Sequence, residues 1–277
     1  MTKDKSNQPY LLRGLKSVTT ESSTLISSSK YLNDPRLRDW VATHFLRRSG
    51  KDRPTSADAY QLYEFLFEVQ DLDRIEELFT EERARWPELD AWFREGFVST
   101  FTKADLLDCP PGSLGRIFGE YLRDNNFELD IIERFEPRTQ YDYYRFRSGQ
   151  THDLEHIMFG GAFDILGELV PYYARLTNVP RFLSPELAAE VNLGQLLGAQ
   201  RLLMRTALHY QQSYLKALEA TRAGMDVGLA SDPIFLIRYE DVLHLPVEEA
   251  RRAKGIRNAR EVDTLAASLE WDEYRPD

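Results

Sequence analysis

Apolar residues recur at three- and four-residue spacing along most of this chain, the pattern of helices that bury one face. Asp34 followed by Pro35 predicts an N-cap and a first-turn proline, and apolar positions from Leu37 to Phe45 extend that helix toward Gly50. We find no convincing β-strand alternation, glycine-rich nucleotide motif or internal repeat. The sequence therefore predicts an all-α, multi-helix fold.

Further helical patterns follow between proline- and glycine-rich breaks. The segment from Pro185 to Thr221 has more apolar residues than one helical stripe needs, so it lies in the core or lines an apolar cavity. The segment AGMDVGLASDP, residues 223–233, is interpreted as a linker. The other predicted helices begin after Pro54 with Thr55 or Ser56 as the cap, continue through Leu78, and span 87–98, 114–125, 140–156 and 246–256.

Composition limits the classes of protein. With 277 residues, 42% of them hydrophobic, we expect a flexible Ser- and Thr-rich arm over residues 1–31 and a single helical domain over 32–277. The formal charge of -10 argues against general binding to nucleic acid, and no apolar run approaches the ~20 residues of a membrane-spanning helix. Cys109 is the only cysteine, which excludes an intrachain disulfide and a cysteine-based zinc site. A soluble or peripheral protein is expected.

Two of the five histidines lie four residues apart. On a helix His152 and His156 project from one face with Asp153 on its flank, and such a group can bind a divalent ion. Glu168 follows twelve residues later and would be about 18 Å away on an unbroken helix. The intervening pair Gly160–Gly161 is where a helix breaks most readily. We therefore predict a break near Gly160 that brings Glu168 toward the histidines.

The surroundings of this motif leave alternatives open. Asp164 is a hydrogen-bond partner of the site, an alternative ligand or a solvated carboxylate. Arg145, nearly on the face of His152, binds an anionic head group or is solvated. Several apolar side chains either line a hydrophobic tunnel for an isoprenoid tail or belong to an ordinary core: Phe159, Phe163, Tyr172, Tyr173, Leu197 and Met204.

The pattern His152-Asp153-x-x-His156, followed by eleven residues and Glu168, resembles the signature of the Coq-four family of ubiquinone (coenzyme Q) biosynthesis proteins. The resemblance covers roughly residues 106–256 and includes ILGE at 165–168, PPGSLGRIFGEYL at 110–122 and RYEDVLHLPVEEARRAKGI at 238–256. This chain departs from the family pattern at two positions. Glu155 replaces a more usual apolar or aromatic residue, and the basic residue before the motif is Arg147, set back by three residues.

The resemblance implies an all-helical peripheral membrane protein that binds a polyprenyl phenol or quinone lipid and a divalent metal. Zn²⁺ is the metal usually assumed, and Fe²⁺ or Mg²⁺ are alternatives. By position, His152, Asp153, His156 and Glu168 carry over as the metal-ligating and catalytic residues. The implied reaction is that of an oxidative decarboxylase (a lyase), in which hydroxyl replaces the C1 carboxylate of a polyprenyl-hydroxybenzoate ring. The extra carboxylate of Glu155 leaves the exact substrate open.

Two other functions compete with this hypothesis. One is a non-catalytic scaffold that binds prenyl lipid and recruits other quinone-biosynthesis proteins. The other is a metal-dependent hydrolase, which usually needs a further upstream histidine, and His44 is the only one. Expected partners are the quinone-pathway proteins and a membrane surface, and a homodimer is left open. The expected location is the cytoplasmic membrane surface in a bacterium or the matrix face of the mitochondrial inner membrane in a eukaryote.

Overall fold

The computed structural model describes residues 29–48, 61–129 and 135–271. This part contains thirteen α-helices and several short 3₁₀ helices, and no β-strand beyond two isolated bridges. The all-α prediction is confirmed. The helices are α1 Lys30–Asn33, α2 Pro35–Leu46, α3 Gln61–Val69, α4 Leu72–Arg85, α5 Pro87–Glu95, α6 Lys103–Leu107, α7 Leu114–Asp124, α8 Gln140–Phe159, α9 Leu169–Asn178, α10 Pro185–His209, α11 Tyr214–Ala230, α12 Val247–Ala253 and α13 Leu265–Ser268.

Several predicted helix boundaries are confirmed. The Asp34 carboxylate accepts a hydrogen bond from the backbone N–H of Arg36 at 2.8 Å, which caps α2 where the sequence indicated. Asn125 is the C-cap of α7. Gly50 and the predicted caps of α3 lie outside the described residues, as does almost all of the predicted arm over 1–31. Its last residues, from Lys30, begin the short helix α1.

The linker predicted over residues 223–233 is wrong, because α11 continues through it to Ala230. The predicted helix 185–221 is instead divided at Tyr210, where α10 ends and a short 3₁₀ turn precedes α11. Gly224 and Gly228 explain the error. A Cβ atom at either position would overlap a backbone oxygen of α9, so these glycines allow close helix packing and do not mark a turn.

The largest hydrophobic core lies among α7, α8, α9, α10 and α11. Leu154, Met158 and Phe159 of α8 are fully buried in it, as are Leu169 and Val170 of α9. Two smaller clusters join α4 to α8 and α10, and α2 to α3. The junction of α8 with α9 is therefore held inside the main core. No helix of the described residues is long and apolar enough to cross a membrane.

Candidate metal centre

The chain reverses direction at a glycine after α8. Gly160 has φ 86° and ψ 21°, the left-handed conformation of a helix C-cap, and the N–H groups of Gly160 and Gly161 donate to the His156 carbonyl at 3.0 and 2.8 Å. A Cβ atom at position 160 would also overlap the carbonyl oxygen of Arg260. A loop over residues 160–168 then leads into α9. The predicted helix break near Gly160 is confirmed.

The break brings Glu168 to the two histidines. The Glu168 carboxylate oxygens lie 3.2 Å from His152 Nε2 and 3.5 Å from His156 Nε2, and the two Nε2 atoms are 3.4 Å apart. We call these groups the ligand triangle. One ligand atom from each of these three residues lies within 4.8 Å of the other two, close enough for the three side chains to surround a single ion.

The orientation of His156 is fixed on both sides of its ring. Its Nδ1 lies 2.9 Å from the carbonyl oxygen of Ala162. Because a carbonyl only accepts, Nδ1 carries the proton in the neutral ring, and the lone pair of Nε2 faces the triangle. Phe163 stacks on this imidazole with ring centroids 5.0 Å apart, and Tyr121 stacks on Phe163 at 3.8 Å. A metal ligand would thus be held ready in the required tautomer.

The charges of the triangle favour a cation. Burial alone would raise the pKa of Glu168, but the two histidines outweigh burial and hold this pKa well below its ordinary value. Burial would lower the pKa of His156, yet the carboxylates of Glu168 and Asp153 raise it. The carboxylate of Glu168 thus keeps its negative charge beside the histidines, which favours binding of a divalent cation.

Asp153 lies beside the triangle, and its carboxylate is not one of the converging ligand atoms. Burial raises the pKa of Asp153, while the charges of both histidines act in the opposite direction. Burial, together with the charges of Asp153, Glu168 and Asp164, also raises the pKa of Tyr121 to about 12. Asp153 is thus close enough to interact electrostatically with the site. Its role as a fourth ligand stays a prediction.

Asp164 anchors the 160–168 loop. Its carboxylate accepts four kinds of hydrogen bond, from Leu166 N at 3.2 Å, Gly167 N at 2.9 Å, Thr264 Oγ1 at 2.7 Å and Ser268 Oγ at 2.5 Å. The N–H of Val262 donates to the Gly160 carbonyl at 3.0 Å. The 260–268 segment therefore holds the start and the middle of the loop that carries Glu168. Asp164 is neither a solvated carboxylate nor part of the ligand triangle.

Comparisons with known proteins agree with this geometry. The family model of Coenzyme Q (ubiquinone) biosynthesis protein Coq4 matches residues 98–260, more than half of the chain. The chain belongs to the Coq4 family. A crystal structure from Nostoc punctiforme, named for a proposed role in ubiquinone biosynthesis, has a similar fold with a TM-score of 0.56 at 17% identity, covering 73% of this chain and 89% of that chain. A search of curated proteins gives no significant match.

The motif also contains the carboxylate of Glu155, which is not a member of the triangle. It forms a buried pair with Arg175, whose Nε and Nη2 donate to the two Glu155 oxygens at 2.7 and 2.8 Å. Arg175 also donates to the carbonyl of Ser148 at 2.7 Å. The second departure, Arg147, is likewise engaged, since it donates to both oxygens of Glu240 at 3.0 and 3.2 Å. The Glu155–Arg175 pair therefore joins α8 to α9, and the Arg147–Glu240 pair joins α8 to the segment between α11 and α12.

A cavity of about 450 Å³ opens beside the triangle, between α3, α8, α9 and α10. Its described lining includes His152 together with Arg145 and Tyr172, two of the predicted ligand-binding residues. The other predicted residues lie elsewhere: Phe159 is buried in the core, Phe163 stacks on His156, Tyr173 accepts from Gln200, Leu197 packs in the α2–α3 cluster and Met204 is 43% exposed. The predicted hydrophobic tunnel stays a prediction.

Sequence reasoning missed two parts of this Coq4 site. Tyr121 lies within the predicted helix 114–125, and nothing in the sequence indicates that its ring completes the stack over His156. Thr264 and Ser268 carried no motif, and their contact with Asp164 joins residues 100 and 104 positions apart. Spacing within one helix gives no information about contacts of this range.

Proposed function

We propose that this Coq4-family protein is a metal-dependent enzyme of ubiquinone biosynthesis that replaces the C1 carboxylate of a polyprenyl-hydroxybenzoate ring with hydroxyl. The observation that carries the proposal is a ligand triangle that borders a cavity through His152. Family membership supplies the pathway, the triangle a place for an ion, and the cavity a place for the ring. Concave sites with a few convergent polar groups are typical of small-molecule binding.

His152, His156 and Glu168 would hold the ion, with Asp153 as the predicted fourth protein ligand. Two imidazoles and a carboxylate suit Zn²⁺, with Fe²⁺ as the alternative. A bound divalent ion supplies positive charge and Lewis acidity next to a substrate oxygen. His152 lines the cavity and its side chain is 15% exposed, which supports access to the ion from that side, whereas His156 is 1% exposed.

The proposed reaction breaks the bond between C1 and the carboxyl carbon and forms a new C–O bond at C1. If water supplies the hydroxyl oxygen, the two electrons pass to an external acceptor A: ArCO2H + H2O + A gives ArOH + CO2 + AH2. If dioxygen supplies it, an external donor DH2 provides two electrons and two protons: ArCO2H + O2 + DH2 gives ArOH + CO2 + H2O + D. Isotope-labelled water distinguishes these sources in the product.

The first test is elemental analysis of protein purified without chelator. We expect one divalent ion per chain in the wild type, lost in His156→Ala and in Glu168→Ala. His209→Ala is the matched control, since this histidine binds the Leu46 carbonyl far from the triangle and its loss should leave the metal in place. Release of CO2 from a ring-carboxylated prenyl phenol is then measured on the same proteins. Absence of both metal and CO2 release in the wild type would contradict the proposal.

A second candidate is the lipid-binding scaffold without turnover. It is favoured by a row of exposed apolar side chains along α11, with Leu215 at 79% and Leu229 at 55% exposure and Leu218 and Met225 between them. Such a row is typical of a surface that meets a membrane or another protein. Binding of metal and prenyl lipid with no CO2 release would select the scaffold.

No comparable observation favours the hydrolase. His44, the upstream histidine, stacks on Trp40 within α2 with ring centroids 4.7 Å apart. It is not a member of the ligand triangle.

A further inference from the structure

The cavity has a cationic side chain two helical turns from the triangle. Arg145 and His152 are seven residues apart on α8, which places them on nearly the same face and about 10 Å apart along the axis. Both line the cavity, with Ser148 and Gly149 between them. Gly149 has no side chain to fill the interval. Arg145 and the triangle thus border the same cavity at two points along α8, an arrangement that suits a ligand with polar groups at opposite ends.

The two arginines that border the cavity differ in their partners. Arg175 is paired with Glu155 through two hydrogen bonds of 2.7 and 2.8 Å. The Arg145 guanidinium instead lies over the rings of Phe67 and Tyr141, 4.3 and 5.7 Å from their centroids. Within the described part of the chain, Arg145 makes no hydrogen bond or ion pair. Its N–H donors are therefore available to a ligand.

The acidic groups of the cavity do not neutralise Arg145 directly. Glu190 of α10 accepts from the Gln70 amide at 3.3 Å and from the Tyr31 hydroxyl, and Lys30 is 3.9 Å away. Glu64 of α3 is exposed at the cavity wall. His152 and the paired Arg175 complete the charged lining. The rings of Phe67 and Tyr141 hold the Arg145 guanidinium at the cavity wall, where its positive charge can attract an anion.

On the basis of the proposed function, we propose that Arg145 binds the phenolate oxygen of the substrate ring, opposite the carboxylate that lies at the ligand triangle. The negative charge of a phenolate oxygen increases electron density at the ring carbon across from it. That carbon is C1, where the new C–O bond forms and from which CO2 leaves. By stabilising the phenolate, Arg145 both orients the ring and activates C1.

Binding of two probes by the metal-loaded protein tests which group Arg145 contacts. The probes are 3-fluoro-4-hydroxybenzoate and 3-fluorobenzoate, which differ only in the hydroxyl. Arg145→Met should weaken the hydroxylated probe about 10- to 100-fold, the effect of one charge-assisted hydrogen bond, and leave the other unchanged. Arg145→Lys should restore part of the loss. Equal weakening of both probes, or of neither, would overturn the inference.

Ionisation of the bound phenol gives a second readout, followed by ¹⁹F NMR from neutral to alkaline pH. In the wild type the phenol pKa should lie about one unit or more below its value in free solution, a tenfold preference for phenolate. Arg145→Met should abolish this difference. Arg222→Met, on the exposed face of α11, is the matched control and should behave as wild type. An identical midpoint in the wild type and Arg145→Met would contradict phenolate binding.

These measurements separate the inference from the proposed reaction. Selective probe binding and a lowered phenol pKa without CO2 release would support Arg145 and reject turnover. CO2 release with binding that does not depend on Arg145 would support turnover and reject the inference. A wild-type protein that binds neither probe would reject the cavity as the ring site, and the inference with it.

Discussion

Glu155 and Glu168 are two carboxylates of the same motif region, and their partners differ in kind. Glu155 receives two hydrogen bonds of 2.7 and 2.8 Å from the buried guanidinium of Arg175. Glu168 faces two imidazole nitrogens at 3.2 and 3.5 Å. The shorter distances are those of charge-assisted hydrogen bonds, whereas the longer ones join the two Glu168 oxygens to different rings.

This difference shows that one carboxylate can complete a structural ion pair while another stays available to a ligand. Arg175 is a permanent cation, so the Glu155 pair is complete without any ligand. An imidazole, unlike a guanidinium, can be a metal ligand when it is neutral, so the two histidines could share an ion with Glu168. Residue type alone does not distinguish the two cases. The identity of the partner decides.

The largest expected effect on stability comes from breaking the ion pair between Glu155 and Arg175. Arg175→Met should lower the free energy of unfolding by about 3–5 kcal/mol, because it leaves Glu155 buried without its counterion. The double variant Glu155→Leu with Arg175→Met should recover most of this loss, since both charges are gone. Denaturant unfolding of the metal-free proteins measures both values. A free energy of unfolding for Arg175→Met within about 1 kcal/mol of wild type would show that the pair does not stabilise the fold in this way.

Removing the metal should lower the stability only through the ligand triangle, and the Glu155–Arg175 pair should not contribute to this change. Saturating ion at about 1,000 times its dissociation constant should stabilise the wild type by about 4 kcal/mol, and chelator should remove that gain. In Glu168→Gln we expect little or no metal-dependent change in melting temperature, because one ligand loses its charge. Glu155→Gln is the informative comparison, since it should retain the metal-dependent shift. Loss of the shift in both variants would mean that Glu155 also serves the ion.

Asp164 should affect Glu168 indirectly, through the loop. Asp164→Ala removes the acceptor for Thr264 and Ser268, so metal affinity should fall about 10- to 100-fold, as for other residues that support metal ligands. Isothermal titration with Zn²⁺ measures this value. Asp226→Asn, a partly exposed position on α11, is the control and should bind metal as wild type does. Unchanged affinity in Asp164→Ala would show that the loop keeps its shape without the anchor.

The smallest expected effect lies far from both carboxylates. Met204 is 43% exposed on α10, so Met204→Lys should change stability by no more than about 0.5 kcal/mol. It should also leave binding of the fluorinated probes unchanged, whereas Tyr172→Ala, at the cavity wall, should weaken binding. Probe titrations compare the two variants. Weaker binding in Met204→Lys would indicate that the ligand extends along the outer face of α10.

Local features of this chain were predictable from sequence. The caps at Asp34 and Asn125, the helix that carries both histidines and the break at Gly160 all follow from short-range rules of backbone geometry. The approach of Glu168 to the histidines followed in turn, because a broken helix leaves a short loop to fold back. These steps depend on residues within twenty positions of one another.

Long-range features were not predictable in the same way. Glycines such as Gly224 and Gly228 are typical of linkers. Only their contact with α9 shows that they allow two helices to pack closely. By residue type Glu155 is an extra carboxylate within the motif. Only its contact with Arg175, twenty residues later, shows that it forms an internal ion pair. The partners of Asp164 lie about a hundred residues away. Each depends on a tertiary neighbour that periodicity does not identify.

The anchoring of the 160–168 loop also sets an order of assembly. Domains begin to fold from the N-terminal side during synthesis, so both histidines and Glu168 leave the ribosome well before Thr264 and Ser268. Until those two hydroxyls arrive, Asp164 lacks their hydrogen bonds and the loop is not fastened. A nascent chain would therefore be a poor competitor for cellular metal. Loading of the proposed metal site would therefore wait until the chain has been made through Ser268.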